Sequence, residues 1–287
     1  MITPFNEDMS IDYPGLATLV DYCIEEVGCD GLVPCGTTGE STTLSHQEHV
    51  DVVRAVVKQA RKRVPVIASA GSNCTSEAVA LTRLVAEAGA DATLQVGPYY
   101  NKPTQAGIFN HFAAIAAASR LPIVVYNIPG RTSRNIEPAT IVKMWAEIPT
   151  VVGLKDCSND LRQMMEIYRS TDPKTFKIYC GEDIMTFSLL CHGGAGAIAA
   201  VAHVVGREVK AMCEAVWSGS LGDARDLHYR IMDMVEALFV EPNPTPIKQA
   251  LEWLGLPAGP LRPPLERLTP AGQQVLRKAM KSGGWLR

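Results

Sequence analysis

Lys155 is the residue whose position points most directly to chemistry. It follows the apolar run at residues 151–154, so its stem emerges from a strand that is predicted to be buried. Burial disfavours an ammonium ion, and a neutral amine attacks carbonyl carbons to give imines. An ion pair with Asp156 or another nearby carboxylate explains the same position without any catalysis. The lysine alone therefore leaves a nucleophile and a structural ion pair both open.

Other residues supply the groups that imine chemistry needs. Thr37, Tyr100 and Tyr126 carry hydroxyls that can relay protons while an imine forms and breaks. Residues 36–39, Gly-Thr-Thr-Gly, present successive backbone N–H groups to a carboxylate or phosphate, and Arg131 offers a bidentate partner for a carboxylate. Each has a plain alternative: a satisfied buried hydroxyl, an ordinary turn or a surface arginine. Together they indicate an enzyme that acts on a keto acid through a Schiff base.

These residues follow apolar, β-branched runs that alternate with amphipathic segments. Runs that are apolar on both faces are typical of buried parallel strands. Eight strand–helix units predict an α/β fold, a (β/α)8 TIM barrel whose catalytic groups lie at the C-terminal ends of the strands. A doubly wound sheet is the alternative, but no glycine-rich phosphate motif follows the first strand. The predicted strands are residues 2–5, 31–35, 64–68, 92–96, 122–126, 151–155, 176–180 and 197–201.

Local signals mark where several helices begin. Ser45 and Glu48 form a predicted capping box, and Pro138 is placed at a helix start. The pattern after the last predicted strand is helical. We therefore expect a barrel over residues 1–206, and a last barrel helix with a C-terminal helical extension over residues 207–287. Further helices are predicted at residues 13–27, 76–88, 108–119 and 139–147.

Composition excludes several other classes of protein. The chain has 287 residues, 47% of them hydrophobic, and a formal net charge of −3. This excludes a disordered chain, and the lack of a basic surplus argues against nucleic-acid binding. No apolar stretch approaches the roughly 20 residues of a membrane span, and no secretory signal opens the sequence. We expect a cytoplasmic protein with neither nucleic-acid nor membrane partners.

The cysteines and histidines do not indicate a cofactor. The eight cysteines include no C-x-x-C pair and mostly fall within predicted strands and helices, so we expect reduced, structural thiols. His46 and His49 are spaced as a ligand pair on a helix, but no third ligand is evident. We therefore expect no metal.

The candidate residues lie in four short motifs. These are Gly-Thr-Thr-Gly-Glu-Ser at 36–41, Pro-Tyr-Tyr-Asn at 98–101, Tyr-Asn-Ile-Pro-Gly-Arg-Thr at 126–132 and Gly-Leu-Lys at 153–155. The motifs resemble those of the pyruvate-dependent class I aldolases, the superfamily that includes N-acetylneuraminate lyase. The doubled tyrosine at 99–100 and residues 241–248 are most similar to the dihydrodipicolinate synthase family within it. The resemblance extends over essentially the whole chain.

The resemblance implies a reaction and a role for each matched residue. Pyruvate would form an imine with Lys155, and the derived enamine would attack L-aspartate 4-semialdehyde in the diaminopimelate pathway to lysine, with no cofactor beyond this Schiff base. Tyr126 and Thr37 would relay protons with Tyr100, which reaches in from a neighbouring subunit of a homotetramer, a dimer of dimers. Thr38 would join Thr37 in binding the pyruvate carboxylate. The other matched residues are Arg131 for the semialdehyde carboxylate, and Gly181 and Ile198 at the pocket wall.

Some members of the family also bind L-lysine as a feedback inhibitor at the dimer interface. Glu77 is suited to an ammonium group, and Asn73 and Tyr99 to a carboxylate. Ordinary interface contacts explain the same residues, so inhibition by lysine is a hypothesis. The matching positions here are Ser41, His46, His49, Asn73, Glu77 and Tyr99.

The chain departs from the family pattern at three places. After Lys155 the family often has Glu-Ala, whereas this chain has Asp-Cys-Ser, and residues 199–203 lack the common Ser-Val-Thr-Ala-Asn. Family chains usually carry several more residues before Thr3, so we expect the natural start to lie upstream.

Two alternative functions stay open: a sister enzyme, such as a 2-keto-3-deoxy sugar acid aldolase or N-acetylneuraminate lyase, and a non-catalytic ligand-binding barrel.

Overall fold

The computed structural model describes residues 1–286. They form two compact units: residues 1–66 together with those from 199 onward, and residues 67–198. The first unit is mainly helical, whereas the second alternates strands and helices. In the second unit the strands are β1 (Ile67–Ser69), β2 (Ala92–Val96), β3 (Ile123–Asn127), β4 (Val151–Asp156), β5 (Lys177–Cys180) and β6 (Gly196–Ala197).

Helices account for most of the rest of the described chain, and a π-helical turn at Tyr22–Glu26 follows the first of them. The α-helices are α1 (Tyr13–Asp21), α2 (His46–Ala60), α3 (Thr75–Glu87), α4 (Gln105–Ala118), α5 (Pro129–Thr132), α6 (Pro138–Glu147), α7 (Leu161–Ser170), α8 (Thr186–Cys191), α9 (Ala202–Trp217), α10 (Leu221–Ala237), α11 (Thr245–Trp253) and α12 (Pro270–Ser282).

The six strands of the second unit form one parallel sheet in the order β1-β2-β3-β4-β5-β6. Parallel neighbours need a crossover connection, and at least one helix lies between each pair of consecutive strands. Tyr126 in β3 pairs with Lys155 in β4, which pairs with Tyr179 in β5. Because paired residues of neighbouring strands point to the same face, these three side chains share one face of the sheet.

The opposite face of this sheet is packed under helices. Its side chains include Val125, Leu154 and Ile178, which belong to one buried apolar cluster with residues of α4, α6 and α7. Strand residues therefore alternate between an apolar helix-facing side and a side that carries Lys155. The helix residues of the cluster include Phe112, Ile115, Ile141, Met144, Met164 and Ile167.

Helix α2 of the first unit begins as predicted. The Ser45 hydroxyl accepts from the backbone N–H of Glu48, and the Ser45 N–H donates to Glu48 Oε2 at 2.8 Å, which confirms the capping box. Pro138 is the first residue of α6, also as predicted. The helix predicted at residues 13–27 is present: α1 extends to Asp21, and the π-helical turn continues it to Glu26.

Four predicted strands are wrong or much shorter. Of residues 64–68, only Ile67 and Ala68 belong to a strand, β1. Residues 2–5 hold only an antiparallel bridge between Phe5 and Ile11, and residues 31–35 only a parallel bridge from Leu32 to Val66. Proline in both segments removes a backbone donor, and Cys35 has φ +56°, outside the extended region. At 197–201 the strand ends at Ala197, because Val201 already has near-helical dihedral angles before α9.

From residue 202 onward the described chain contains helices and no strand, as the sequence predicts. The division into a barrel and an extension at residue 206 stays a prediction. No helix within residues 1–286 is both long and apolar enough to cross a membrane. Over the same residues, no group of three or more His, Cys, Asp or Glu side chains is arranged to hold a metal ion.

Candidate active site

Lys155 stands at the C-terminal end of β4 with its amine against an aromatic ring. Its Nζ lies 4.3 Å from the ring centroid of Tyr126, and the lysine is half-buried. Within the described chain no carboxylate oxygen lies within 4.0 Å of this amine. Asp156, the predicted alternative partner, instead accepts from the Ser158 hydroxyl at 2.8 Å, and burial raises the pKa of Asp156. The structure therefore contains the lysine that a Schiff base needs, but not the predicted structural ion pair.

Gly181 makes room for the lysine side chain. It follows β5, and its N–H donates to the Asp156 carbonyl at 2.8 Å. A Cβ at this position would lie 2.6 Å from Lys155 Cε and 2.5 Å from the buried Cys157 Sγ. Real Cβ atoms essentially never approach other heavy atoms so closely, so the lysine stem passes over a backbone that only glycine allows.

We expect Gly181→Ala to lower the rate of imine formation with pyruvate by about 100-fold, since a displacement of about 1 Å at a reacting group costs about that much. The rate of borohydride-trapped adduct formation measures the effect. Gly222→Ala is the matched control, because a Cβ there meets nothing within 4 Å. A Gly181→Ala enzyme that is trapped at the wild-type rate contradicts the steric argument.

The other predicted residues of the second unit lie at neighbouring strand ends. Arg131 is exposed in the short helix α5 after β3, and the N–H of half-buried Ile198 donates to the Cys180 carbonyl at 2.8 Å. Tyr100 is 89% exposed and has φ +70°. Such a conformation is uncommon for a non-glycine residue.

Glu182 is a charged residue that the sequence did not single out. It directly follows Gly181 and is half-buried. Burial raises the pKa of the Glu182 carboxyl, while Asn159 and the nearby Lys155 and Arg131 oppose that rise. Glu182 follows the end of β5 and is next to Gly181, a predicted pocket residue. This position is the signal that could have marked Glu182 as a candidate site residue in the sequence.

Thr37 and Thr38 lie in the tight loop that precedes α2. The Gly39 N–H donates to the Gly36 carbonyl, and the Glu40 N–H donates to the Thr37 carbonyl, which closes the loop. In residues 1–286, the N–H groups of Thr37 and Thr38 make no hydrogen bond, and both residues are half-buried. Two adjacent N–H groups without partners are suited to binding a carboxylate.

A buried ion pair anchors the end of this loop. Glu40 Oε1 lies 2.6 Å from Lys248 Nζ, with side-chain exposures of 0% and 3%. The Arg262 N–H donates to Glu40 Oε2 at 3.0 Å, and Lys248 also donates to the Pro260 carbonyl. Glu40 has φ +53°, so these contacts hold a strained backbone in place. The C-terminal helical region thus fixes the loop that carries Thr37 and Thr38.

His203 explains one departure from the family pattern. Its Nε2 accepts from the Ile2 N–H at 3.1 Å, and its Nδ1 bonds to the Ala200 carbonyl at 2.8 Å, which sets the neutral Nδ1–H tautomer. Burial lowers the pKa of His203 to about 3. The ring therefore ties residue 2 to the start of α9 in its neutral form.

This ring predicts an acid-sensitive stability. The folded pKa of about 3 lies below the unfolded value near 6.5, so the unfolded chain binds more protons between these values. We expect the wild type to lose about 2 to 3 kcal/mol relative to His203→Asn between pH 7.5 and pH 4.5. Urea unfolding at both pH values measures the difference. The interpretation is wrong if the two proteins lose stability in parallel, because His111 and other groups titrate alike in both.

The six positions predicted to bind lysine fall in both units. In the second unit, the Ser72 hydroxyl bonds to the Glu77 carboxylate, Asn101 Nδ2 donates to the Asn73 carbonyl at 2.9 Å, and Tyr99 is half-buried. In the first unit, Ser41 is half-buried, His46 exposed and His49 buried, all at or near the start of α2. Their binding role stays a prediction.

Comparison with known proteins decides the family. Residues 1–283 match the dihydrodipicolinate synthetase family. The chain belongs to the dihydrodipicolinate synthetase family. A relative from Nitratidesulfovibrio vulgaris, described as 4-hydroxy-tetrahydrodipicolinate synthase, is 45% identical over 99% of this chain and 96% of its own.

Solved structures of the family share the fold over the whole chain. The Cyanidioschyzon merolae enzyme with lysine bound has a TM-score of 0.97 and 43% identity, covering 100% of this chain and 97% of its own. The chloride-inhibited Acinetobacter baumannii dihydrodipicolinate synthase complexed with pyruvate has a TM-score of 0.95 and 37% identity, covering 100% and 97%. These matches confirm the predicted fold class, a (β/α)8 barrel with a helical C-terminus. They also confirm a lyase with 4-hydroxy-tetrahydrodipicolinate synthase function, and favour neither the sister aldolases nor a binding barrel.

Proposed function

We propose that this member of the family condenses pyruvate with L-aspartate 4-semialdehyde through a Schiff base at Lys155. The observation that carries the proposal is the position of the Lys155 amine. It stands at a strand end against Tyr126, over a glycine that makes room for it, and outside ion-pair distance of any described carboxylate. Family membership supplies the reaction, and the pyruvate complex of the Acinetobacter baumannii relative supports the first substrate.

The reaction proceeds without an external cofactor, because the imine that Lys155 forms with pyruvate is the electron sink. The Lys155 amine adds to the pyruvate ketone, and loss of water gives the imine. Loss of a methyl proton gives an enamine, whose carbon attacks the aldehyde of the second substrate. The amino group of that substrate then attacks the imine carbon and displaces Lys155. The cyclic product and the free enzyme result, and one water is released overall.

Each predicted residue has a role that suits its surroundings. Tyr126, whose ring contacts the amine, and Thr37 relay protons during imine formation and loss. The N–H groups of Thr37 and Thr38 bind the pyruvate carboxylate, and Arg131 binds the semialdehyde carboxylate through a bidentate pair. Gly181 and Ile198 line the pocket.

Tyr100 completes the proton relay from a second subunit. Its 89% exposure and left-handed backbone present the ring to solvent in a single chain, which suits a side chain that enters a partner's site. We propose that the enzyme is a homotetramer built as a dimer of dimers. Sedimentation analysis tests the assembly, and loss of activity on dilution to monomers tests the role of Tyr100.

L-Lysine is proposed as a feedback inhibitor that binds through Ser41, His46, His49, Asn73, Glu77 and Tyr99. The lysine-bound Cyanidioschyzon merolae relative supports this ligand. We expect millimolar lysine to lower the activity, and Glu77→Gln to weaken the inhibition by about tenfold, since one charge-assisted contact to the ammonium is lost. Titration of the two proteins with lysine measures both effects. Full wild-type activity at millimolar lysine would refute the site.

A product assay tests the substrate. The enzyme is supplied with pyruvate and either L-aspartate 4-semialdehyde or the aldehyde partners of the sister aldolases, and a downstream reductase consumes the heterocycle. We expect turnover only with the semialdehyde. Faster consumption of a sugar-derived aldehyde would assign the chain to a sister activity.

A further inference from the structure

We propose that Asn243 is a positioning residue that orients the Thr38 hydroxyl toward the carboxylate of pyruvate. The inference rests on the proposed function, because it takes pyruvate as the ligand of the loop at residues 36–41. Asn243 Nδ2 donates to Thr38 Oγ1 at 2.8 Å, although 205 residues separate them in sequence.

The contact fixes which way the Thr38 proton points. A threonine hydroxyl has one proton to donate and lone pairs that accept. Because the amide of Asn243 occupies a lone pair, the hydroxyl proton is left to donate elsewhere. The N–H groups of Thr37 and Thr38, which have no partner within residues 1–286, mark the same loop as the place where an anion would bind.

Asn243 is well placed to enforce this orientation. It is only 8% exposed, so water does not readily replace Thr38 as its partner. Pro242 and Pro244 flank it, and each ring restricts its own backbone φ. Lys248, a few residues further on, holds the same loop at Glu40. The segment at residues 242–248 therefore contacts the loop at two side chains, Thr38 and Glu40. Of these two, only Thr38 is proposed to bind substrate.

The test measures the pyruvate concentration that gives half-maximal borohydride trapping, which needs no second substrate. We expect this concentration to rise about fivefold in Asn243→Ala and about 10- to 100-fold in Thr38→Val, which loses a hydrogen bond to a charged group. Asn243→Asp should raise it more than Asn243→Ala, because a carboxylate accepts the Thr38 proton and repels the ligand. Thr38→Ser keeps the hydroxyl and should therefore bind pyruvate more tightly than Thr38→Val.

The double variant Asn243→Ala/Thr38→Val separates positioning from a general structural role. If Asn243 acts through Thr38, the double variant resembles Thr38→Val alone. Gln249→Ala is the control and should behave like the wild type, because within residues 1–286 the Gln249 side chain, in α11, bonds only to Glu252. Effects that multiply in the double variant, or an unchanged half-saturation in Asn243→Ala or Asn243→Asp, overturn the inference. A wild-type enzyme that gives no adduct refutes the proposed function instead.

Discussion

Lys155→Arg should abolish the trapped pyruvate adduct and lower the turnover of the enzyme by about 10⁴-fold. Arginine keeps the positive charge and much of the stem that packs against Tyr126, but its guanidinium stays protonated and forms no imine. Losing a covalent nucleophile removes the whole pathway that depends on it, so the expected effect is of the size seen when catalytic nucleophiles are replaced.

The measurement is borohydride reduction in the presence of pyruvate, followed by peptide mass spectrometry. Wild-type protein should carry one reduced adduct on the peptide that contains Lys155. Lys177→Arg is the matched control, because Lys177 is exposed at the start of β5 and bonds to the Pro173 carbonyl. An adduct on another lysine, or a Lys155→Arg enzyme with near wild-type turnover, would place the Schiff base elsewhere.

The part of this site that is local in sequence could be predicted. A long apolar run followed by a lysine fixes both β4 and the residue at its end, and β2 matches its prediction residue for residue. Such strands are specified by their own buried side chains. The short segments around Phe5 and Leu32 could not be placed in the same way, because their pairing depends on neighbours far along the chain and on a left-handed Cys35.

Contacts between residues that are far apart in the sequence could not be predicted either. Gly181 was expected at the pocket wall, but the reason for a glycine there is that the Lys155 side chain passes close to its backbone, a contact that exists only in the folded chain. In the sequence, His203 is only a departure from the family pattern. In the structure its ring accepts a hydrogen bond from the Ile2 N–H, a role that the sequence did not indicate. Residues 241–248 were matched to a family motif, but nothing in the sequence indicated that Lys248 forms an ion pair with Glu40.

Glu40→Gln should lower the free energy of unfolding by about 3 to 5 kcal/mol. The ion pair with Lys248 is almost fully buried, and removing one partner leaves the other charge without compensation. Lys248→Met should cost a similar amount, because the Glu40 carboxylate then keeps only the Arg262 N–H as a described partner. Urea unfolding measures both. The pyruvate concentration for half-maximal trapping should also rise, since Glu40 ends the loop that carries Thr37 and Thr38.

The double variant Glu40→Gln/Lys248→Met should recover most of the stability that either single variant loses. Burial lowers the pKa of Lys248 to about 8 even with Glu40 beside it, so desolvation outweighs the attraction within the pair. Between pH 8 and the unfolded value of 10.5 the unfolded chain binds more protons, so wild-type stability should rise with pH relative to the double variant. Single-variant losses that simply add in the double variant would show that the two residues act independently. If stability recovers but pyruvate binding does not, the pair is kept for the geometry of the loop rather than for the stability of the fold.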